Sequence, residues 1–160
     1  MKIGILSDTH NNTDKIIKAV EFFNLRQIEL VLHAGDFSFV SSAKLFSKLK
    51  MPMIAVFGNN DLDTFDLEKT IQPFGNIYNE PYSFTIDGKK FILSHRLYNT
   101  EEKFDYIIYG HTHKPHIQKT PQALFINPGE VSAGRYGRST VAILDTNTNH
   151  AEIFDLDLES

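Results

Sequence analysis

The stretch KIGILSDTH at residues 2–10 decides how this chain is read: a short apolar run passes directly into an acid and an imidazole, Asp8 and His10. The same design returns four times, at LVLHAGD (30–36), MIAVFGNND (53–61), FILSH (91–95) and YIIYGHTH (106–113). Each run is rich in Ile, Val, Leu, Phe or Tyr and reads as a buried strand. Each stops at Asp, His or Asn, often with Gly beside it. Open α/β sheets carry their sites just outside the carboxyl ends of parallel strands. Residues distant in sequence can therefore meet at one place. Seven nitrogen and oxygen donors result: Asp8, His10, Asp36, Asn59, His95, His111 and His113. They are too many for one ion and suit two.

Around these runs the first half alternates strand and helix. A helix is expected at about 13–25, capped by Asn12 or Thr13, with Ile16, Ile17, Ala19, Val20 and Phe23 on its apolar face. A second is expected at about 40–49, with Ser38 near its start, Val40, Leu45, Phe46 and Leu49 inward, and Pro52 behind it opening the strand 53–57. This βαβαβ order predicts a largely parallel first sheet. The second half reads as short strands near 76–79, 82–86, 90–94, 105–109, 116–119, 123–127, 140–145 and 150–155. Asp87-Gly88 between YSFTI and KKFIL predicts a hairpin. The fold class expected is α/β, a layered α/β/β/α sandwich of two mixed β-sheets flanked by helices. No linker, repeat or low-complexity tract divides it, so residues 1–160 read as one domain.

Composition narrows the function classes. The absence of cysteine removes disulfides, cysteine-zinc sites and thiol catalysis together. No apolar stretch is long enough to span a membrane and no signal-peptide pattern opens the chain, so a cytoplasmic address is expected. A net charge of −4 argues against nucleic acid as the main partner.

The motifs differ in weight. Asp8-Thr9-His10 puts two donors at i and i+2, which point the same way in extended backbone; a capping Asp beside a surface His has the same sequence. Gly35-Asp36 alone is an ordinary turn, although an Asp there could span two ions. Gly58-Asn59-Asn60-Asp61 offers a hard, neutral carbonyl ligand, and would also make an Asn-rich turn. Gly110-His111-Thr112-His113, directly after a strand, is the strongest single motif. His95 gains force because a second ion otherwise lacks nitrogen. His33, inside a strand, reads as a buried, hydrogen-bonded histidine with an indirect part in the site. His116 and His150 read as solvent-facing.

Taken together and in this order, Asp8 and His10, Gly35-Asp36, Gly58-Asn59-Asn60-Asp61, His95, the Gly-His-Thr-His at 110–113, and Asn127-Pro128-Gly129 with Arg135 downstream make the chain resemble the calcineurin-like metallophosphoesterases. The likeness runs to about Asp155 and is strongest to the small prokaryotic phosphodiesterases. The resemblance implies one metal held by Asp8, His10, Asp36 and His113, and another by Asp36, Asn59, His95 and His111, with Asp36 bridging. It implies two divalent cations, manganese first, with nickel, iron or zinc as alternatives. It implies hydrolysis of a small-molecule phosphodiester by in-line attack of a metal-bridging hydroxide. Asp36, Asn59, Asn60, His10 and Arg96 are the expected catalytic group, and Arg96 or Arg135 could orient the non-transferred oxygens.

Two divalent ions, two aspartates and one hydroxide would leave a site charge of +1, suited to a monoanionic diester. Two departures bear on substrate choice. Most of the superfamily has His where this chain has Asn60, and the segment 96–104, beginning Arg96-Leu97, is short. The rival reading is a protein-binding scaffold like the retromer subunit of this fold; such a scaffold need not keep all seven donors. Homo-oligomerisation is left open.

Overall fold

The computed structural model describes residues 1–159. Two mixed sheets pack face to face. The first is ordered β11-β10-β1-β2-β3-β4, from β1 (Lys2–Leu6), β2 (Leu30–His33), β3 (Met53–Val56), β4 (Gly75–Tyr78), β10 (Thr140–Asp145) and β11 (His150–Asp155). Strands β1 to β4 are mutually parallel, and β10 and β11 close the sheet antiparallel. The second is ordered β5-β6-β7-β9-β8, from β5 (Tyr82–Ile86), β6 (Lys89–Leu93), β7 (Tyr106–Ile108), β8 (Pro115–Lys119) and β9 (Leu124–Pro128). Here β6, β7 and β9 run parallel, with antiparallel strands at both edges.

Side-chain alternation assigns each strand residue to a layer. Ile3, Ile5, Leu30, Leu32 and Val56 meet Phe91, Leu93, Tyr106, Ile108 and Ile126 between the sheets. Leu6, Val31, Met53 and Ala55 face the other way, onto helix residues such as Ile16, Phe23, Phe46 and Leu67. Complete burial of one such aliphatic side chain contributes about 1.5–3 kcal/mol, so a one-residue slip of a central strand would forfeit several of these at once.

Helix α1 (Thr13–Asn24) starts where expected, its Asn12 side chain accepting from the Lys15 N–H. The helix expected at 40–49 divides into α2 (Val40–Ala43) and a 3-10 turn, Lys44–Lys48. No side chain caps α2, because its N-cap residue is Phe39; the neighbouring Ser38 is turned towards His10. Helix α3 (Thr64–Ile71) is additional to the expected elements. It is short, buries only Leu67 and Ile71, and is capped by Asp63 accepting from Asp66 N–H. The Asp87-Gly88 hairpin forms as read, both residues at positive φ (50° and 75°), as the two central positions of a type I′ turn require.

The two flanked mixed sheets agree with the expected class, but the fourth layer is not helical. All three α-helices lie on the first sheet; among the described residues none lies against the second. Its buried outer side chain Ile92 instead lines a small cleft together with Tyr98, Thr100 and Phe104 from the short 96–104 connection. None of the described helices is long and apolar enough to cross a membrane.

Candidate active site

The parallel cores of both sheets present their carboxyl ends to one cleft. Asp8 and His10 follow β1, Asp36 follows β2, Asn59 follows β3, His95 follows β6, and His111 and His113 follow β7. All seven expected donors are thus brought together, from both sheets. Asp8, Asp36 and His95 are buried; His10 and His113 are half-buried, and Asn59 and His111 stand at the open side.

The two oxygens of Asp36 face opposite groups. His95 Nε2 lies 3.4 Å from Oδ1 and His10 Nε2 3.8 Å from Oδ2. Ligand atoms of Asp8, His10 and His113 lie within 4.8 Å of one another, as do those of Asp8, Asp36 and His95. His95 Nδ1 donates to the Ala34 carbonyl at 2.8 Å, which leaves Nε2 with its lone pair pointing into the cleft. There it stands 2.9 Å from Asn59 Oδ1 and 3.2 Å from His111 Nδ1. On the other side, His113 Nε2 lies 3.2 Å from Asp8 Oδ1. That contact lacks the alignment of a hydrogen bond, so this buried oxygen has no donor. Oxygen and nitrogen donors of Asp8, Asp36, Asn59 and His95 therefore converge on one cleft.

The local backbone is unusual for side-chain-bearing residues. Asp8, His10, Asp36, His111 and His113 all have φ between 43° and 66°. Each such position costs on the order of 1–3 kcal/mol and persists only where its surroundings hold it. Those restraints are visible. Asp61 accepts from the Asp36, Ser38 and Gly58 backbone N–H groups at 2.7–2.9 Å, tying the β2 and β3 loops together. Burial raises the Asp61 carboxyl above its ordinary pKa, against these three donors. Gly58 lies so close to Asp36 that a Cβ there would be 2.2 Å from Asp36 Oδ1. Asn60 donates to Asp36 through its backbone (3.0 Å) and its side-chain amide (2.8 Å).

The charges are correspondingly displaced. For Asp8, burial works upwards, but His113 and a 2.7 Å hydrogen bond from Ser7 outweigh it and lower the carboxyl. Asp8 in turn raises His113 to about 9, with Glu130 helping against burial. Burial, then His95 and Arg96, depress His111. His33 is fully buried, as expected. It accepts from Gly35 N–H at Nδ1 and reaches Thr9 Oγ1 through Nε2, and burial pushes it down to about 3. Arg96 is exposed beside the cleft, its guanidinium 3.5 Å from Glu80.

Three carboxylates escaped the sequence reading. Asp61 was visible in the Asn-rich loop without an assigned part. Glu80 accepts from Ser94 Oγ and from the His95 and Arg96 N–H groups, and so fixes the end of β6. Glu130 stands 2.6 Å from His113 Nδ1. It had a signal: LFINPGE (124–130) is a sixth apolar run that ends in an acid.

Comparison with known proteins identifies the family. Residues 1–149 match the calcineurin-like phosphoesterase superfamily domain. A phosphodiesterase of Methanocaldococcus jannaschii is 37% identical over 155 residues, covering 91% of this chain and 93% of the relative. The solved structure of an archaeal phosphodiesterase superimposes with a TM-score of 0.90 at 34% identity, over 97% of this chain and 99% of the other. Zinc-complexed Vps29 of Entamoeba histolytica shares the fold, with a TM-score of 0.67 at 17% identity over 98% and 99% of the two chains. The chain is an enzyme of the calcineurin-like phosphoesterase superfamily.

Proposed function

We propose that this enzyme hydrolyses phosphodiesters with two divalent metal ions, and that manganese serves best. The observation that carries this reading is the convergence of Asp8 Oδ1, both Asp36 oxygens, His95 Nε2 and Asn59 Oδ1 on one cleft, with Asp8 Oδ1 buried and without a donor. Uncompensated buried acceptors are costly, and a hard cation with nitrogen and oxygen ligands removes that cost. Asp8, His10, Asp36 and His113 would hold one ion, and Asp36, Asn59, His95 and His111 the other. When bound, such a pair supplies Lewis acidity toward the phosphoryl group and a hydroxide nucleophile near neutral pH.

The chain's own groups divide the remaining work. Asp36 serves both positions because its oxygens face opposite histidines. His95 is held in the required tautomer by Ala34. Asn60 keeps Asp36 in place, and its amide has no proton to give to a departing alkoxide. Arg96, exposed beside His111, is suited to pair with the non-transferred phosphoryl oxygens. A scaffold of the same fold would have no use for seven converging donors, five of them held in left-handed backbone.

Metal-stripped protein loaded separately with Mn2+, Ni2+, Fe2+ or Zn2+, and offered a panel of phosphodiesters and monoesters, tests the reading. An aryl diester should turn over in at least one loaded form, with two ions per chain, and Asp36→Asn should abolish turnover and both ions. Absence of turnover in all four forms, or an Asp36→Asn protein as active as the original, overturns it.

A further inference from the structure

We propose that Glu130 is a positioning residue that fixes the tautomer of His113 and ties that imidazole to the loop 131–138. This rests on the reading of His113 as a metal ligand. Glu130 is fully buried at the end of β9, and its two oxygens have different tasks. Oε1 accepts from the backbone N–H groups of Arg135 and Tyr136 at 2.9 and 2.7 Å, the Arg135 N–H also reaching Oε2 at a longer 3.2 Å. Oε2 faces His113 Nδ1 at 2.6 Å and accepts from Ser132 Oγ at 3.0 Å. A carboxylate can only accept, so Nδ1 must carry a proton, and Nε2, which faces Asp8, is the nitrogen left to ligate a metal once its own proton is displaced. The same side chain holds the loop that carries Arg135 and Tyr136. The ligand and this loop are thus set by one group.

Glu130→Gln separates the two tasks. Its backbone partners cannot reverse, so the amide oxygen must remain with Arg135 and Tyr136. The amide NH2 then faces His113 and favours the tautomer with its proton on Nε2, the wrong one for a ligand. Partners of this kind typically change metal affinity by about 10- to 100-fold.

The test is calorimetric titration of the metal-stripped full chain with Zn2+ alone, together with NMR of the histidine side-chain nitrogens in the zinc-loaded form. In the unsubstituted protein His113 should show a protonated Nδ1 and a ligated Nε2. In Glu130→Gln one of the two binding steps should weaken by about 10- to 100-fold, with the His113 pattern altered and the fold retained by circular dichroism. Ser132→Ala, which removes a donor to the same carboxylate without touching the imidazole, should bind zinc within about twofold of the original. Glu130→Asp, which keeps the carboxylate, should recover part of the loss. If the unsubstituted chain binds no zinc, the metal reading itself fails. If it binds two ions and Glu130→Gln binds them equally tightly, or His113 carries its proton on Nε2 throughout, the positioning role is wrong. If Glu130→Gln loses its fold, the zinc-loaded unsubstituted chain decides: a His113 without a proton on Nδ1 sinks the proposal.

Discussion

Gly58→Ala isolates the geometry of Asp36 from its chemistry, because it adds one methyl group and changes no donor, acceptor or charge. The new Cβ would stand 2.2 Å from Asp36 Oδ1 and 2.4 Å from the Asp36 backbone nitrogen, where ordinary contact begins at 3.4 Å. Asp36 must therefore move by about 1 Å, and its main chain, held by Asp61, has little freedom to do so. Overpacking of this kind costs about 1–3 kcal/mol. For a chain of this size that lowers the melting temperature by about 2–12 °C. A misplacement of about 1 Å at a reacting centre costs about 10²-fold in rate. Turnover should fall much further than the loss of stability alone would produce at 25 °C, where the variant remains folded.

Gly88→Ala is the control. Nothing lies within 4 Å of the Cβ it would add, and only its positive φ is unfavourable, so it should lose a little stability and no activity. The assays are thermal unfolding of the metal-stripped forms and aryl diester turnover of the loaded ones. A Gly58→Ala protein that keeps full turnover and two ions per chain would refute the close packing of Asp36 as a condition of activity.

Three further outcomes are expected. His33 titrates near 6.5 when unfolded but near 3 in the fold; below pH 6.5 the unfolded chain takes a proton that the folded chain refuses. Stability present above pH 6.5 should thus decline towards pH 3 by up to about 1.4 kcal/mol per unit, and His33→Gln should show a shallower decline in urea midpoints between pH 6.5 and 5; an equal slope would show that His33 does not carry it. Asn60→His should narrow the gap between activated and unactivated substrates, since general-acid help is worth about 10²–10⁴ in rate; if the unsubstituted protein already hydrolyses alkyl monoesters as fast as aryl diesters, another residue, with His10 first, supplies the proton. Chelation should lower the melting temperature, because ions bound only by the folded state stabilise it; identical melting with and without metal would mean that the sheet ends hold the donors unaided.

The parts of the site that were legible share one property: each lies at the carboxyl end of an apolar run. Period and composition are local signals, so Asp8, Asp36, Asn59, His95 and His111 could be placed without knowing how the runs pack. Their partners were not legible, because a hydrogen bond between residues far apart in sequence leaves no periodic trace. Ser38 shows the limit well. It lies near the start of an expected helix, but the left-handed turn at residue 38 (φ 70°) sends the hydroxyl to His10 Nδ1 at 3.0 Å. Helix α3 was missed for a related reason: with two buried residues it has almost no apolar stripe, and it forms because its Leu67 and Ile71 complete a core built by others.

The absent fourth layer follows from chain length rather than pattern. Between β6 and β7 only residues 94–105 are available, and they must carry His95 into the cleft and return across Ile92. These residues only just reach the dozen or so that a helical crossover needs in all, so those spent on His95 and on Ile92 leave too few for a packed helix. Irregular chain therefore lies beside Ile92 on the outer face of the second sheet, where Ser83, Thr85, His116 and Gln118 stay exposed, and Arg96, Leu97 and Tyr98 are left exposed directly after His95. These rim residues are thus products of a connection too short to fold into anything regular. For the same reason periodicity could mark the position of His95 but not the surface that surrounds it.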